Sequence, residues 1–439
     1  MVGSNTRRRV VTQNQNLDDL EPNRPNSDLG SPTPSKSDRI YFDRRSLWAQ
    51  KAMLLDGHKE TLQPDEAAIL WLLAGYGPKL KQLSPYQLIN HFPNELAVTN
   101  KCCLTENLAR YDRSRDDNSL PMSAFYPESY RLSDPTERKT FLAQLPENET
   151  PDNLWVYKPG NRSSGKGIEI IWNFDALRKK CAAWGDRPIV NKNEQAIMQR
   201  HINNPLLLDG RKSEIRVYWL VASLDPLMVL VYPEATVRLN TLPYKLDDFR
   251  NPLIHVTNVY QQNNHPQYDP NIELKWTFED LGNYLSNNFE IAGSDFLQAQ
   301  LMPRVRRILR TVSLASCEKL QLNYPHQGDC FAVFGADLII DENLNPWLSE
   351  VQEAPGLNFD DAVKRDVIPP MLGEAARIVL DVRNRRFSNR AFRDLQSVRN
   401  YQWVVNDLEP ELVEIPEQGH GSKMDRDRLS HERPPAKTA

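Results

Sequence analysis

Two apolar runs late in the chain, 330–341 and 344–352, are joined by the turn-forming stretch Asp341-Glu342-Asn343-Leu344-Asn345-Pro346. So short a link allows only a reversal, and the runs read as one antiparallel hairpin. Period-two alternation puts Gly335, Asp337 and Ile339 on one face of the first strand, and Glu350 and Gln352 on one face of the second. With the turn centred between Asn343 and Leu344, Asp337 lies directly opposite Glu350. Two carboxylates facing each other on an apolar hairpin repel unless positive charge lies between them. A divalent cation supplies it, and carboxylate plus amide oxygens are the hard ligands that Mg2+ prefers. The alternative is that both side chains point to solvent from a sheet edge.

Upstream, 154–158, 168–172 and 196–200 read as strands and 174–184 as a helix. Residues 214–223 and 228–239 are β-rich, followed by a long polar loop and helices near 276–288 and 296–320. Earlier, 65–73 and 101–110 read as helices, the second with Leu104 and Leu108 one turn apart. Strands alternating with long helices, plus the late hairpin, indicate an α/β or α+β architecture. At roughly 150 residues per domain the chain holds about three units. We place a disordered tail at 1–39, an N-terminal domain at 40–152, a central lobe at 153–200, a C-terminal lobe at 201–395 and a largely disordered tail at 396–439. Lys and Arg number 54 against 58 Asp and Glu, which excludes a basic nucleic-acid binder. No apolar run approaches the roughly 18–20 residues of a membrane span. Five cysteines without metal-ligand spacing read as reduced thiols. The expectation is a cytoplasmic monomer.

The stretch Lys158-Pro159-Gly160-Asn161-Arg162-Ser163-Ser164-Gly165-Lys166-Gly167 offers backbone N–H groups and positive charge between two strands. Polyphosphate binding needs such a loop, although it matches neither the Walker nor the dinucleotide spacing, and an ordinary mobile surface loop is the other reading. Lys212, Arg216, Arg238, Thr257 and Asn258 form a further cationic and amide set. Arg216 shares a strand face with Glu214 and Tyr218, where it is either paired structurally or a clamp for carboxylate or phosphate.

Several motifs together, in order, are similar to the tubulin tyrosine ligase-like family. They are Lys158-Pro159, Gln199-Arg200-His201-Ile202, Lys212-Ser213-Glu214-Ile215-Arg216, Glu234-Ala235-Thr236-Val237-Arg238, His255-Val256-Thr257-Asn258, Phe334-Gly335-Ala336-Asp337 and Trp347-Leu348-Ser349-Glu350-Val351. The resemblance implies an ATP-grasp fold, with ATP held between two α+β lobes behind a smaller N-terminal domain. It implies that Lys158 and Lys101 contact phosphates, that Lys166 and Gly167 belong to a phosphate-covering loop, and that Gln199, Arg200, His201 and Ile202 form the hinge reading adenine. Lys212 and Glu214 would lie near ribose and phosphates. Arg216, Arg238, Thr257 and Asn258 would line the reacting end, and Asp337, Glu350 and Gln352 would hold Mg2+. The family usually has Asp where this chain has Glu214, a hinge nearer Gln-Lys-Tyr, and Asn where this chain has Gln352.

The implied activity is ATP-dependent joining of a free amino acid to a protein acceptor such as a tubulin tail, near the cytoskeleton. Alternatives are a non-tubulin or small-molecule acceptor, or a catalytically impaired nucleotide-binding protein. The Arg-rich segment Arg377, Arg383, Arg385, Arg386, Arg390 and Arg393 reads as a solvated helix face or as a dock for an acidic tail.

Overall fold

A computed structural model describes residues 38–413, apart from 74–75, 116–118, 146–152, 163–164, 172, 247, 249–250, 258–261, 263–264, 267, 269–271, 273, 290, 326–327, 389 and 393. Of the tails expected at 1–39 and 396–439, residues 1–37 and 414–439 lie outside the described residues, as does Asn258. The strands are β1 (Ile40–Phe42), β2 (Ile69–Trp71), β3 (Leu88–Ile89), β4 (Ser129–Arg131), β5 (Trp155–Pro159), β6 (Glu169–Ile171), β7 (Ala196–Arg200), β8 (Leu207–Leu208), β9 (Arg211–Leu224), β10 (Leu227–Leu239), β11 (Lys275–Thr277), β12 (Asp329–Cys330), β13 (Ala332–Ile340), β14 (Pro346–Gln352) and β15 (Gln402–Asn406). The longer helices are α1 (Leu47–Leu55), α2 (Lys101–Asp112), α3 (Pro135–Ala143), α4 (Phe174–Trp184), α5 (Phe278–Phe289), α6 (Met302–Leu320) and α7 (Ala362–Phe387).

This is a mixed α/β structure with three sheets. A parallel sheet runs β1-β2-β3-β12, a small antiparallel one runs β4-β7-β5-β6, and the largest runs β11-β10-β9-β13-β14, with β15 on β10 and β8 on β9. Strand pairing does not follow the expected lobe boundaries. Ser129–Arg131 joins the sheet of 155–200, and Asp329–Cys330 joins the N-terminal sheet.

The large sheet is covered on both faces, which is why β9 reads as nearly continuous apolar sequence. Alternation sends Val217, Trp219 and Val221 toward Val305, Ile308 and Val312 of α6. Tyr218, Leu220 and Ala222 go toward Val367, Met371 and Leu372 of α7. Each such side chain contributes about 1.5–3 kcal/mol when fully buried. The small sheet has its own core, where Phe141, Phe174 and Leu177 pack on Trp155 and Met198. That packing leaves the opposite face, with Val156 and Lys158, turned toward the large sheet.

Three local expectations are corrected. Residues 65–73 are not a helix but a short turn, Pro64–Glu66, followed by β2. Ile69, Leu70 and Trp71 are buried in a parallel sheet, where an unbroken apolar run forms a strand as readily as a helix. Trp276 belongs to β11, and the helix begins at Phe278, where the Thr277 hydroxyl accepts from Asp280 N–H at 3.0 Å and the Asp280 carboxylate accepts from Thr277 N–H at 2.8 Å. Four arginines of the Arg-rich segment are engaged within the fold and do not form an open face. Arg377 pairs with Asp56 and Arg386 with Asp329, Arg385 bonds Asp381 at 3.0 Å and the Asp394 carbonyl at 2.8 Å, and Arg383 is buried against the Tyr86 carbonyl. Arg390 is exposed, and Arg393 lies outside the described residues. No helix of the described residues is long and apolar enough to cross a membrane. All five cysteines are unpaired.

The segment from 396, expected to be tail, holds β15, whose Val404 and Val405 are buried. Its anchor is Glu374 of α7, fully buried, whose carboxylate accepts from the N–H groups of Arg399 (2.8 Å), Asn400 (2.8 Å) and Tyr401 (3.0 Å) and from Asn400 Nδ2 (2.7 Å). Glu374→Ala orphans these donors and is expected to cost about 2–4 kcal/mol. Urea unfolding checks the magnitude, and early hydrogen exchange across 399–406 checks that β15 is what detaches.

Candidate active site

Register across the large sheet builds the site. Thr236 of β10 lies opposite Arg216 of β9, Arg216 opposite Asp337 of β13, and Asp337 opposite Glu350 of β14. The neighbouring row sets Arg238 opposite Glu214. Directly opposed residues have Cβ atoms about 4.5–5.5 Å apart, so each row is a line of side chains in contact. The facing of Asp337 and Glu350 expected from the hairpin is present, while the register slips by one just beyond it, at Leu338.

Each carboxylate is paired with a cation from an adjacent strand or from α2. Arg216 grips Asp337 with two N–H groups, its Nη2 at 2.8 Å from Oδ2, and Arg238 reaches Asp337 Oδ1 at 2.8 Å and Glu214 at 3.0 Å. Lys101 pairs with Glu350 at 2.9 Å. Asp337 is 1% exposed, so neither solvent nor a sheet edge accounts for it. Burial works to raise its carboxyl, yet Arg216 and Arg238 together hold it well below the usual carboxylate range. Glu214 moves the other way: burial raises it, Asp337 and Glu350 add repulsion, and Arg238 and the Thr257 hydroxyl only partly offset them.

The small sheet supplies the opposite wall. Lys158 donates to Gln199 Oε1 at 2.6 Å and to the carbonyl and hydroxyl oxygens of Ser349 at 3.3 Å. Burial pushes its ammonium down to about 8, with Lys101 and Lys212 opposing protonation and Glu350 favouring it. Lys212, bonded to the His255 carbonyl at 3.2 Å, is also pushed down to about 8 by burial. His201 is buried with Nδ1 at 2.8 Å from Asn203 Oδ1, and burial, then Lys212, lowers it to about 3, so its ring is neutral at physiological pH. Arg200 points away from these groups, stacking 4.1 Å over Trp155 and pairing with Glu128 at 3.1 Å.

One cavity gathers Lys158, Gln199, Arg200, His201, Ile202, Lys212, Glu214, Arg238, Thr257, Asp337 and Glu350. Arg216 and Lys101 reach it through Asp337 and Glu350. Lys166 and Gly167 lie in the loop beside it, which contributes Gly165 to the lining. Sequence reasoning missed Ser349 and the apolar wall of Val156, Ile170 and Ile339. The signal was available, because Val156 shares a strand face with Lys158 and pairs with both Ile170 and Gln199. A larger cavity of about 770 Å³ shares Arg200, His201 and Ile202 but has no lysine in its lining, so the smaller one is the candidate active site.

Chemically, with Arg200 set aside because it pairs with Glu128, the cavity sets an apolar wall and five cations (Lys101, Lys158, Lys212, Arg216, Arg238) against three carboxylates (Glu214, Asp337, Glu350). Such a surplus suits a polyanion carrying an apolar ring. Two carboxylates and an amide on adjacent strands are hard oxygen donors of the kind a divalent cation takes. Here Gln352 donates its amide N–H to Glu350, and no group of three His, Cys, Asp or Glu is arranged around a metal position among the described residues. A metal on Asp337, Glu350 and Gln352 would therefore have to displace Lys101, turn the Gln352 amide and share Asp337 with its two arginines.

The family model described as the tubulin-tyrosine ligase family matches residues 79–386. The chain is 30% identical over 314 residues to a protein of Tetrahymena thermophila named probable alpha-tubulin polyglutamylase, covering 68% of this chain and 73% of the relative. It is 30% identical over 357 residues to a protein polyglycylase of Rattus norvegicus, covering 74% of this chain and 50% of the relative. It is 31% identical over 308 residues to the inactive polyglycylase of Homo sapiens, covering 66% and 44%. The chain thus spans about half the length, or less, of the two polyglycylase relatives.

Two measurements probe this electrostatic arrangement. An anion favours the protonated lysines, so inorganic tripolyphosphate is expected to bind with proton uptake near pH 8 and to weaken as pH rises through about 8; calorimetry in buffers of differing ionisation enthalpy reads the uptake. Asp337→Ala leaves the buried Arg216 guanidinium uncompensated and Arg238 with Glu214 alone, and is expected to cost about 3–5 kcal/mol in urea unfolding.

Proposed function

The chain belongs to the tubulin-tyrosine ligase family, and from that premise we propose that it is an ATP- and magnesium-dependent ligase of the ATP-grasp type, joining a free amino acid to a carboxylate of a protein acceptor such as a tubulin tail. The observation that carries this reading is the juxtaposition, in one cavity, of the Arg216–Asp337–Glu350 row with Lys158 and Lys212. Condensing an amine with a carboxylate is uphill in water, so the carboxylate is first phosphorylated by ATP. The amine then attacks the acyl phosphate and expels phosphate, giving an amide or isopeptide bond and ADP.

On this reading the base is assigned to Val156, Ile170 and Ile339 beside the hinge of Gln199, Arg200, His201 and Ile202, and the phosphates to Lys101, Lys158 and Lys212, with Lys166 and Gly167 in the covering loop. Asp337, Glu350 and Gln352 would hold Mg2+, which when bound neutralises charge on the transferring phosphoryl. Arg216, Arg238, Thr257 and Asn258 are assigned to the reacting end, where guanidiniums suit a carboxylate or an acyl phosphate. Fixed cations need no reorganisation when charge develops, which is the usual source of catalysis in phosphoryl transfer. We place the enzyme in the cytoplasm, acting as a monomer at the cytoskeleton.

A second reading, a weak or non-catalytic family member, is favoured by the Gln352 amide turned onto Glu350 and by the relative named inactive. One assay separates the two. Protein, MgATP and tubulin are incubated with labelled glutamate, glycine or tyrosine, beside a Glu350→Gln control that, unlike Asp337→Ala, leaves the arginine clamp intact. ATP-dependent label abolished by the control is expected. Gln352→Asn is expected to raise the rate about tenfold, the equivalent of about 1.4 kcal/mol released from the Glu350 hydrogen bond. No label from either protein, with MgATP still bound, overturns the ligase reading.

A further inference from the structure

The arginines of α7 meet Asp56, Asp329 and Asp381, but those of α6 meet no carboxylate. Arg304, Arg307 and Arg310 follow one another at a spacing of three, are partly exposed, and form no ion pair among the described residues. Like charges so spaced on a helix repel one another. Arg304 donates from Nη2 to the Ala124 carbonyl at 2.9 Å, while its Nε is buried without an acceptor. Burial, then Arg307, holds its guanidinium below the ordinary value, and Asp341 only partly opposes them. The ridge also stands apart from the reacting end. Val217, Trp219 and Val221 face α6, and Arg216 alternates with them, so the catalytic row lies on the other face of the large sheet.

The ridge borders the larger cavity, of about 770 Å³, because the carbonyl that Arg304 holds follows directly on Met122 and Ser123 of the lining. Ala109, Met122, Tyr126, Tyr130, Ile202 and Trp347 supply its apolar surface, and a space of this size accepts a large side chain with its flanking backbone. Of the five carboxylates in the lining, Glu128 pairs with Arg200, Glu137 with Arg131 and Asp112 with Arg115. Asp341 and Glu342, in the hairpin turn, accept only from neutral donors: Asp341 from the N–H groups of Asn343 and Asn345 and from Trp347 Nε1, and Glu342 from Asn204 Nδ2. Uncompensated guanidiniums, an apolar cavity and two uncompensated carboxylates thus adjoin on one surface.

We infer that this surface docks a segment of a partner polypeptide in which an apolar anchor is flanked by acidic residues, the anchor entering the cavity and the carboxylates meeting Arg304, Arg307 and Arg310. Planar guanidiniums suit carboxylates, which they take two-toothed. A nucleic acid or an anionic membrane, uniformly negative, would press phosphates against Asp341 and Glu342 as well. A polypeptide can set a neutral or basic residue at those two positions and acidic ones along the ridge. The inference does not depend on the ligase reading, since neither the ridge nor Trp347 belongs to the lysine-lined cavity.

The probe is a fluorescent peptide of aspartate and glutamate with one central benzoylphenylalanine, whose ring serves as both anchor and photo-crosslinker. Anisotropy reads its Kd for the full chain, and mass spectrometry after irradiation reads where it sits. Crosslinks are expected at Met122 or its neighbours in the cavity. Arg307→Glu is expected to raise the Kd about tenfold, as loss of one charge-assisted contact would, and Arg307→Lys to raise it less. Ser123→Trp, at an exposed position of the lining, is expected to fill the cavity and abolish the crosslink. Peptide bound at the lysine-lined cavity is common to all these proteins and does not respond to Arg307. Thermal melting confirms that the variants fold. The inference is overturned if wild type does not bind the peptide, if the crosslinks fall outside the cavity, or if Arg307→Glu leaves the Kd where it was. Tighter, Arg307-dependent binding of single-stranded RNA or of phosphatidylserine vesicles overturns it in favour of a polyphosphate or a membrane.

Discussion

The Asp337 carboxylate sits where an isolated one would surrender its charge, and Arg216 and Arg238 keep it ionised. Stripping a carboxylate of water costs several kcal/mol even after relaxation, and only close, multiply bonded counter-charges repay that. Here the pairing is two-toothed from Arg216 and doubled by Arg238. The three residues belong to three different strands, so electrostatics and register enforce each other. A slip of β9 by one residue would present Ile215 or Val217 to Asp337 and drive Arg216 into the Trp219 face. The clamp therefore fixes β10, β9 and β13 at one row, and Glu350 follows through its pairing with β13.

Surplus positive charge inside the cavity is the complement of that clamp. Lys158 and Lys212 are buried without an ion-pair partner among the described residues, and burial pushes both ammoniums down to about 8. The stability needed to hold them comes from elsewhere: the two apolar layers on either face of the large sheet and the separate core behind the small one. The lysines consequently stand in place before any anion arrives. Hydrogen bonds from Lys158 to Gln199 and Ser349 fix the ammonium from both sheets at once, so the contact between the sheets and the placement of the charge depend on the same bonds.

The sequence was most legible where one face of an element decides its pattern. Alternation along 330–352 located the hairpin and set Asp337 against Glu350, and the amphipathic pattern of 174–184 marked α4 to its ends. It was least legible where burial is two-sided or partners are distant. Residues 67–72 carry no alternation because both faces of β2 are covered, so strand and helix look alike. Residues 129–131 pair with a strand some 70 positions later, and no local pattern announces that they leave the N-terminal segment. The arginines of α7 illustrate the same limit. Their spacing suggests an open face, yet Asp56, Tyr86 and Asp329 arrive from remote parts of the chain to meet them. In the site, residue types indicated charge compensation at the carboxylates and a structural pairing as one reading of Arg216, but not that its partner is Asp337, some 120 positions later.

Gln352 shows what one methylene does to such a row. In an extended strand, residues two apart lie about 6.6 Å from each other along the chain, on the same face. The longer amide bends back across that gap to donate to Glu350, which also binds Lys101. A shorter asparagine amide is less able to reach it. The Glu350 carboxylate is thus held by one cation and one neutral donor, on the side where it faces Asp337, whose own oxygens are taken by arginines. On the proposed reading, a divalent cation entering between the two carboxylates exchanges with Lys101 and the amide instead of filling an empty cage. The exchange conserves the sign of the charge beside Glu350, but it also requires an Asp337 oxygen now held by Arg216 or Arg238 to turn to the metal, so Gln352 and the arginine clamp together set how readily the row passes to a metal-holding arrangement.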